Sequence, residues 1–216
     1  MRFLGSYLSL ALSMTYTSSK LLTFEEFLAQ YGDNSRYELI DEELRDMEPT
    51  GSHEAVSGSV AGRIYAEILR ANLGWLIPKS CLIQPPAAEA TALRPDITVL
   101  DAAKLKQEPR WQKQPVICNG NTIKLVVEVV STNWQDDYAR KVEEYALLGI
   151  PEYWIVDFRG LGGWQFIGKP KQPTLTLCQL LNDTYQQQQY RLGELIQSQL
   201  LPNLQLMLDN ILPPQC

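Results

Sequence analysis

The segment Leu125–Val130 constrains the fold more than any other part of this sequence. It reads Leu-Val-Val-Glu-Val-Val, so apolar side chains occupy both alternating sets of positions. Because successive side chains of a strand point to opposite faces of its sheet, this pattern predicts a strand that is covered on both faces. Glu128 stands in the middle of that strand. An unpaired ionised carboxylate there costs several kcal/mol, so a cation, a basic side chain or protonation must compensate it.

A helix and a second strand follow this segment. Residues 136–148 are predicted to form a helix that ends at Gly149 and Pro151, and residues 152–158 form the next strand. This order implies parallel pairing of the two strands with a right-handed crossover. The expected fold class is α/β, with a mixed central β-sheet flanked by helices. The other predicted elements are strands over 36–40, 43–47, 81–84 and 94–100, helices over 23–29 and 52–73, and a hairpin with a short helix within 164–208.

Two of these helices carry start signals. Thr23 and Glu26 have the spacing of a capping box, and Ser52 is the expected N-cap of the long helix. Val56 and Val60 begin an apolar stripe that recurs every four residues along that helix.

The length and composition suit one globular domain. The chain has 216 residues, of which 45% are hydrophobic, which is enough for a sizeable core. We expect a single domain over 20–210, with an N-terminal extension over 1–19 and a tail over 211–216.

The first residues allow two interpretations. Arg2 followed by a short apolar run imitates part of a secretory signal, but serines interrupt the run and it is too short to span a bilayer. The alternative is that translation starts at Met14 and that the first 13 residues are not native. Neither interpretation predicts a membrane protein.

Charge and cysteine usage restrict the partners and the compartment. The net charge is -6, so a protein that binds a polyanion must concentrate its Lys and Arg on one face. The four cysteines are widely spaced, and His53 is the only histidine, so no zinc site of normal spacing exists. Reduced thiols and a cytoplasmic location are expected.

Two further residues are candidates for chemistry, each with an ordinary alternative. Asp96 follows Pro95 at the start of a β-rich run, where it is either a turn-former or an acid presented at a strand end. Lys141 lies at the border of the buried helix stripe, so its ammonium can reach the strand ends. Its alternative is a surface ion pair with Asp137, four residues earlier.

Together these motifs resemble the PD-(D/E)XK nuclease superfamily. A Pro-Asp pair precedes one strand, Glu-Val-Val lies in a later central strand, and a flanking helix carries a lysine. Within this superfamily the chain resembles the Uma-type restriction endonuclease family of bacteria, over roughly 22–208. The motifs that carry the resemblance lie at 22–27, 37–44, 94–97, 126–131, 149–157 and 201–204, together with His53 and the Asp137, Lys141 and Tyr145 spacing.

The resemblance implies a restriction-endonuclease-like core and a metal-dependent endonuclease that acts on DNA, with a homodimer as one possible assembly. The implied ligands of Mg²⁺, or Mn²⁺, are Asp96, Glu128 and the Val129 carbonyl. Val130 occupies the usual lysine position, which implies that Lys141 takes that catalytic role.

Four auxiliary residues follow from the same resemblance. Glu38 is an extra ligand or an exposed edge residue, and His53 is a phosphate contact or a polar residue packed at a helix start. Tyr145 belongs either to the site or to the core, and Asp137 accompanies Lys141.

Two rival functions remain open. The acidic net charge and Val130 also fit a catalytically inactive nucleic-acid-binding or assembly module on the same fold. A hydrolase of another class, such as a glycosidase, also employs two carboxylates, but it works without metal.

Overall fold

A six-stranded mixed β-sheet forms the centre of this computed structural model, which describes residues 21–86 and 90–213. The strand order is β10-β9-β8-β7-β5-β3. The strands are β1 (Tyr37–Ile40), β2 (Glu43–Asp46), β3 (Trp75–Leu76), β4 (Leu82–Ile83), β5 (Ile97–Asp101), β6 (Val116–Ile117), β7 (Ile123–Val129), β8 (Glu152–Asp157), β9 (Thr174–Leu181) and β10 (Thr184–Tyr190). The α-helices are α1 (Phe24–Tyr31), α2 (Gly51–Arg70), α3 (Lys141–Leu147) and α4 (Trp164–Ile167).

The predicted fold class is confirmed, and the strand–helix–strand unit lies at its centre. Strands β7 and β8 are parallel, with Val127 opposite Trp154, and α3 lies between them in the chain. The remaining neighbours in this sheet pair in antiparallel fashion. The predicted hairpins are present as β1–β2 and β9–β10.

Both faces of β7 are covered, as its sequence predicts. Helix α2 and the chain's last segment pack on one face, where the apolar stripe of α2 contacts Val127 and Trp154. Tyr138 and Tyr145 cover the other face against Val126. From Leu125 onwards the alternation along β7 sends the odd-numbered residues towards α2 and the even-numbered residues, Glu128 among them, towards α3.

The expected N-cap of α2 is wrong. Thr50, rather than Ser52, has the extended backbone of a cap, and its hydroxyl accepts a hydrogen bond from the backbone N–H of His53 at 3.3 Å. The helix therefore begins two residues earlier than the pattern predicts, because Thr50 is an equally good cap. His53 consequently lies in the first turn, next to the end of β7.

The predicted helix over 136–148 consists of two parts. A π-helical turn spans Asp136–Arg140, and regular α-helix follows as α3. The wider hydrogen-bonded turn changes the direction of the residues before α3 relative to a regular helix, and such turns are frequent at functional sites. Asp137 and Lys141 are both buried, so the surface ion pair considered for them is wrong.

Some expectations fall outside this structure. The proposed extension over 1–19 and half of the tail, residues 214–216, lie outside the described residues. Among the helices that are described, none combines the length and apolar character needed to cross a bilayer.

Candidate active site

A cleft of about 300 Å³ lies at the carboxyl end of β7. Four acidic and three basic side chains line it. The acids are Glu54, Asp96, Glu128 and Asp137, and the bases are His53, Lys79 and Arg94. A larger groove of about 690 Å³ lies beside β10, but glutamines dominate its wall and no ionisable side chain lines it. The chemistry-bearing residues therefore single out the smaller cleft.

Asp96 directly precedes β5, and Glu128 lies near the end of the neighbouring strand β7. Ile97 pairs with Val127 in the antiparallel β5–β7 ladder, so the next position places Asp96 opposite Glu128. Side chains at facing positions lie on the same face of a sheet, with their Cβ atoms about 5 Å apart. Both residues line the same cleft.

Asp96 is tied directly to the end of β7. Its Oδ2 accepts a hydrogen bond of 2.7 Å from the backbone N–H of Val129. The same oxygen lies 3.4 Å from Nε2 of His53. The structure thus holds the carboxylate in place although Asp96 precedes β5 and lies outside the ladder.

His53 reaches the same point from the first turn of α2. Its Nε2 lies 2.8 Å from the carbonyl oxygen of Val129, to which it donates when that nitrogen carries the proton. Burial disfavours the charged imidazole, but the Asp96 carboxylate outweighs burial and raises the pKa of His53. His53 is therefore more than a polar residue packed at a helix start, because it contacts both Val129 and Asp96.

Lys141 lies beneath the cleft, surrounded by three carboxylates. Its Nζ is 3.1 Å from Glu128, 3.3 Å from Asp137 and 3.5 Å from Glu38. The side chain is fully buried, at 0% exposed. The helix-border position predicted for Lys141 therefore brings its ammonium to the strand ends.

One ammonium does not balance this many buried acids. Burial raises the pKa of Glu128 well above its ordinary value, and Lys141 only partly opposes that rise. Burial likewise raises the pKa of Asp137 to about 7, again against the effect of Lys141. The neighbouring carboxylates add to both shifts, so the cluster favours bound protons or an additional cation.

Glu38 and Tyr145 complete this cluster. Tyr145 is buried and donates a 2.8 Å hydrogen bond to Oε1 of Glu128, so it belongs to both the core and the site. Glu38 is 0% exposed, so the alternative of an exposed edge residue is wrong. The bridge between Leu39 and Ala92 covers β1 on that side, and Glu38 accepts a bond of 3.2 Å from the backbone N–H of Arg94.

Residues 24–209 match the model of the Uma2 family, which is described as "Putative restriction endonuclease". The chain belongs to the Uma2 family. The crystal structure of a protein from Anabaena variabilis, described as a "putative nuclease belonging to DUF820", has a similar fold. Its TM-score is 0.66 at 14% identity, over 88% of this chain and 97% of that chain. No curated protein is significantly similar.

The oxygens of this Uma2 family member suit a hard divalent cation. Asp96 Oδ2 and the Val129 carbonyl both lie within 3.4 Å of one atom, His53 Nε2, so they converge on one point. Carboxylate and carbonyl oxygens are the ligands that Mg²⁺ prefers. Within the described ranges, no group of three or more His, Cys, Asp or Glu side chains is already arranged to hold a metal ion.

Arg94 is a structural residue of the site that the motif analysis passed over. Its guanidinium donates to the carbonyls of Tyr37 and Gly32 and to the Ser80 hydroxyl, at 2.9–3.0 Å. Through these bonds it links α1, β1 and the start of β5 around Glu38. Its place directly before Pro-Asp was visible in the sequence, but its partners are 14 to 62 residues away.

Proposed function

We propose that this Uma2 family member is a DNA endonuclease that works with a divalent cation, Mg²⁺ or Mn²⁺. The proposal depends on one observation: Asp96, Glu128 and Val129 line one acidic cleft, where Asp96 accepts a hydrogen bond from Val129. These two side chains and the Val129 carbonyl are the proposed ligands.

The charge of the cleft supports a role for a cation. Four carboxylates and three bases line it, and one more carboxylate, that of Glu38, is buried beside Lys141 beneath the cleft. A phosphodiester entering this cleft meets a net negative field, and phosphate is repelled unless that field is reversed. A bound divalent ion reverses it at the point where Asp96 and Glu128 meet.

When bound, such an ion polarises a water molecule for attack and stabilises negative charge on the phosphate oxygens. The protein's own residues then have separate tasks. Lys141 and Tyr145 hold one oxygen of Glu128 between an ammonium and a hydroxyl. Because Lys141 is fully buried, its proposed task is to keep Glu128 ionised and oriented rather than to take a proton from water. Glu38 and Asp137 hold Lys141 in place.

DNA is the proposed substrate, and the basic side chains of Lys79 and Arg94 at the cleft favour its approach. Lys79 is exposed at the cleft, and Arg94 lines the same side, so positive charge lies near the acids although the chain carries a net charge of -6. Cutting both strands of a duplex requires two sites, so a homodimer is part of the proposal.

A cytoplasmic location is also proposed, because DNA and a reducing medium occur there together. Among the described residues, Cys81, Cys118 and Cys178 are free thiols. Burial raises the pKa of Cys81 to about 11 and that of Cys178 to about 12, so these two thiols are unreactive in the folded protein.

Plasmid cleavage tests the proposal. Purified protein is incubated with supercoiled plasmid and Mg²⁺ or Mn²⁺, in parallel with Asp96→Asn and Glu128→Gln made by the same procedure. We expect nicked and linear DNA from the wild type, and a loss of at least about 100-fold in rate for both variants, as for removal of a principal charge-stabilising group. Glu67→Gln is the matched control, because Glu67 lies on α2, where it pairs with Arg70 outside the cleft.

Equal cleavage by the wild type and both variants would exclude this site. The inactive-module alternative is favoured by two observations: Lys141 has no solvent contact, and Val130, at the usual lysine position, is buried. Retained DNA binding with no cleavage in either metal would support that alternative.

A further inference from the structure

Neither of the two roles considered for His53, a packed polar residue or a phosphate contact, explains where its imidazole points. It is buried in the first turn of α2, and its Nε2 points at the Val129 carbonyl rather than out of the cleft. The backbone of the same residue is held by the cap Thr50. Two separate elements, the start of α2 and the end of β7, thus fix the imidazole beside two of the proposed ligand oxygens.

The distances around Nε2 match those between neighbouring ligands of one ion. Two ligands at right angles, each about 2.1 Å from a small divalent cation, lie about 3.0 Å apart. Nε2 lies 2.8 Å from the Val129 oxygen and 3.4 Å from Asp96 Oδ2. Only small shifts are therefore needed for the nitrogen and both oxygens to contact a common ion.

We propose that His53 is a further metal ligand, through Nε2, and that it biases the site towards divalent transition cations over Mg²⁺. This inference rests on the proposed function, since it concerns the same ion. Mg²⁺ takes oxygen ligands and keeps its waters, whereas an imidazole nitrogen suits the first-row transition ions. The expected order of affinity is Mg²⁺ below Mn²⁺ below Co²⁺.

Coordination requires a change of tautomer at His53. A nitrogen that donates to Val129 carries a proton, whereas a nitrogen that binds an ion presents its lone pair. The proton of the neutral ring therefore resides on Nε2 without the cation and on Nδ1 with it. This change gives up the Nε2–H bond to Val129, which the contacts of both atoms with the ion replace, and it places the proton on Nδ1, which is buried and has no hydrogen-bond partner among the described residues.

The chain offers an unusually clean measurement, because it contains one histidine. After removal of any polyhistidine tag, a long-range ¹H–¹⁵N spectrum of the wild-type protein shows a single imidazole. We expect a titration with Zn²⁺, a diamagnetic probe, to move Nε2 to the range of a metal-bound nitrogen at one equivalent. The same titration of Asp96→Asn should leave the imidazole unchanged.

The outcomes separate this inference from the proposed function. Calorimetric binding of Zn²⁺ and Mn²⁺ without any change of the imidazole would overturn the role of His53 and leave the metal site intact. Absence of any divalent-cation binding by the wild type would overturn both. A response that survives Asp96→Asn would place the ion elsewhere and would also overturn the inference.

Calorimetry with His53→Gln gives an independent check. Glutamine retains a donor for the Val129 carbonyl but removes the nitrogen lone pair. We expect the affinity for Mn²⁺ to fall about tenfold or more, and that for Mg²⁺ to fall less than about threefold. Equal losses for the two ions would contradict the bias. The wild-type spectrum decides the matter even if this variant does not fold.

Discussion

Two buried glutamates on neighbouring parallel strands meet opposite surroundings. Glu128 lies near the carboxyl end of β7 and is 2% exposed, and Glu152 begins β8 and is 1% exposed. The register pairs Glu152 with Leu125, so the two carboxylates lie at different ends of the same strand pair. Burial alone therefore does not distinguish them.

Glu152 is satisfied by hydrogen bonds alone. Its carboxylate accepts from the indole of Trp154, the hydroxyl of Ser198 and the backbone N–H groups of Gln199 and Leu200, at 2.8–3.1 Å. Two donors therefore reach each carboxylate oxygen, so this buried polar group is fully paired. This arrangement fastens the last segment of the chain to the sheet, which is a structural task.

Glu128 has fewer donors and several competitors. Tyr145 donates to it, and Lys141 is shared with Glu38 and Asp137. Its pKa is raised, first by burial and then by the neighbouring acids. An excess of buried acids over donors, rather than burial itself, therefore marks the candidate site.

The largest expected effect comes from removing the shared cation of the cluster. Lys141→Met leaves three buried carboxylates without their ammonium, which should lower the free energy of unfolding by about 3–5 kcal/mol. Lys124→Met is the control, since Lys124 forms a partly exposed pair with Asp101 and should lose less than about 1 kcal/mol. Urea unfolding followed by circular dichroism measures both free energies. Equal losses would mean that the buried Lys141 ammonium stabilises the fold no more than a partly exposed ion pair does.

The next effect tests the other glutamate. Glu152→Gln replaces an acceptor that serves four donors with an amide that can satisfy only some of them, at a cost of about 2–3 kcal/mol. Metal binding should remain as in the wild type, because Glu152 lies at the other end of the strands. Denaturation with and without Mn²⁺ measures both quantities. Loss of metal binding in this folded variant would remove the contrast between the two acids.

Metal should stabilise the protein through Glu128 and not through Glu152. At ten times its Kd, Mn²⁺ raises the free energy of unfolding by about 1.4 kcal/mol, if it binds only the folded chain. We expect this rise in the wild type and in Glu152→Gln, and its absence in Glu128→Gln. Thermal shift measurements in EDTA and in Mn²⁺ decide this, and a full response of Glu128→Gln would contradict the ligand assignment.

The smallest effect has the opposite sign. Without metal, Glu128→Gln should increase stability by on the order of 1 kcal/mol, because it removes one of several competing buried charges. A carboxyl whose folded pKa is raised destabilises the fold at pH values above its unfolded pKa. The gain should therefore be present at pH 8, shrink as the pH falls towards the ordinary pKa of a glutamate, and disappear near pH 3, where the group is protonated in both states. A melting temperature lower than that of the wild type at pH 8 in EDTA would refute it.

Local patterns explain why part of the site was predictable. An acid within an apolar strand is visible in sequence, and so is an aspartate that follows a proline, so Glu128 and Asp96 could be named as candidates. Lys141 followed from the helix projection together with the family resemblance. The π-helical turn was not predictable, because no residue pattern in 136–140 separates it from a regular helix.

The contacts of Glu38 and His53 were out of reach for a different reason. Glu38 is buried because a distant bridge and Arg94 cover β1, and His53 reaches Val129 across 76 positions of the chain. Such contacts depend on how two distant elements pack together, which local sequence spacing does not predict.

The sequence by itself determined the order of the longer strands and helices, the covered central strand and the pair of candidate acids, but not the two-residue strands β3 and β6. These follow from the alternation and periodicity of apolar side chains, which are local properties. Only the tertiary structure decided which buried carboxylate is satisfied and which is not. Three donors from 46 to 48 residues away help to satisfy Glu152, whereas Glu128 shares one lysine with Asp137 and with Glu38, which comes from a distant strand.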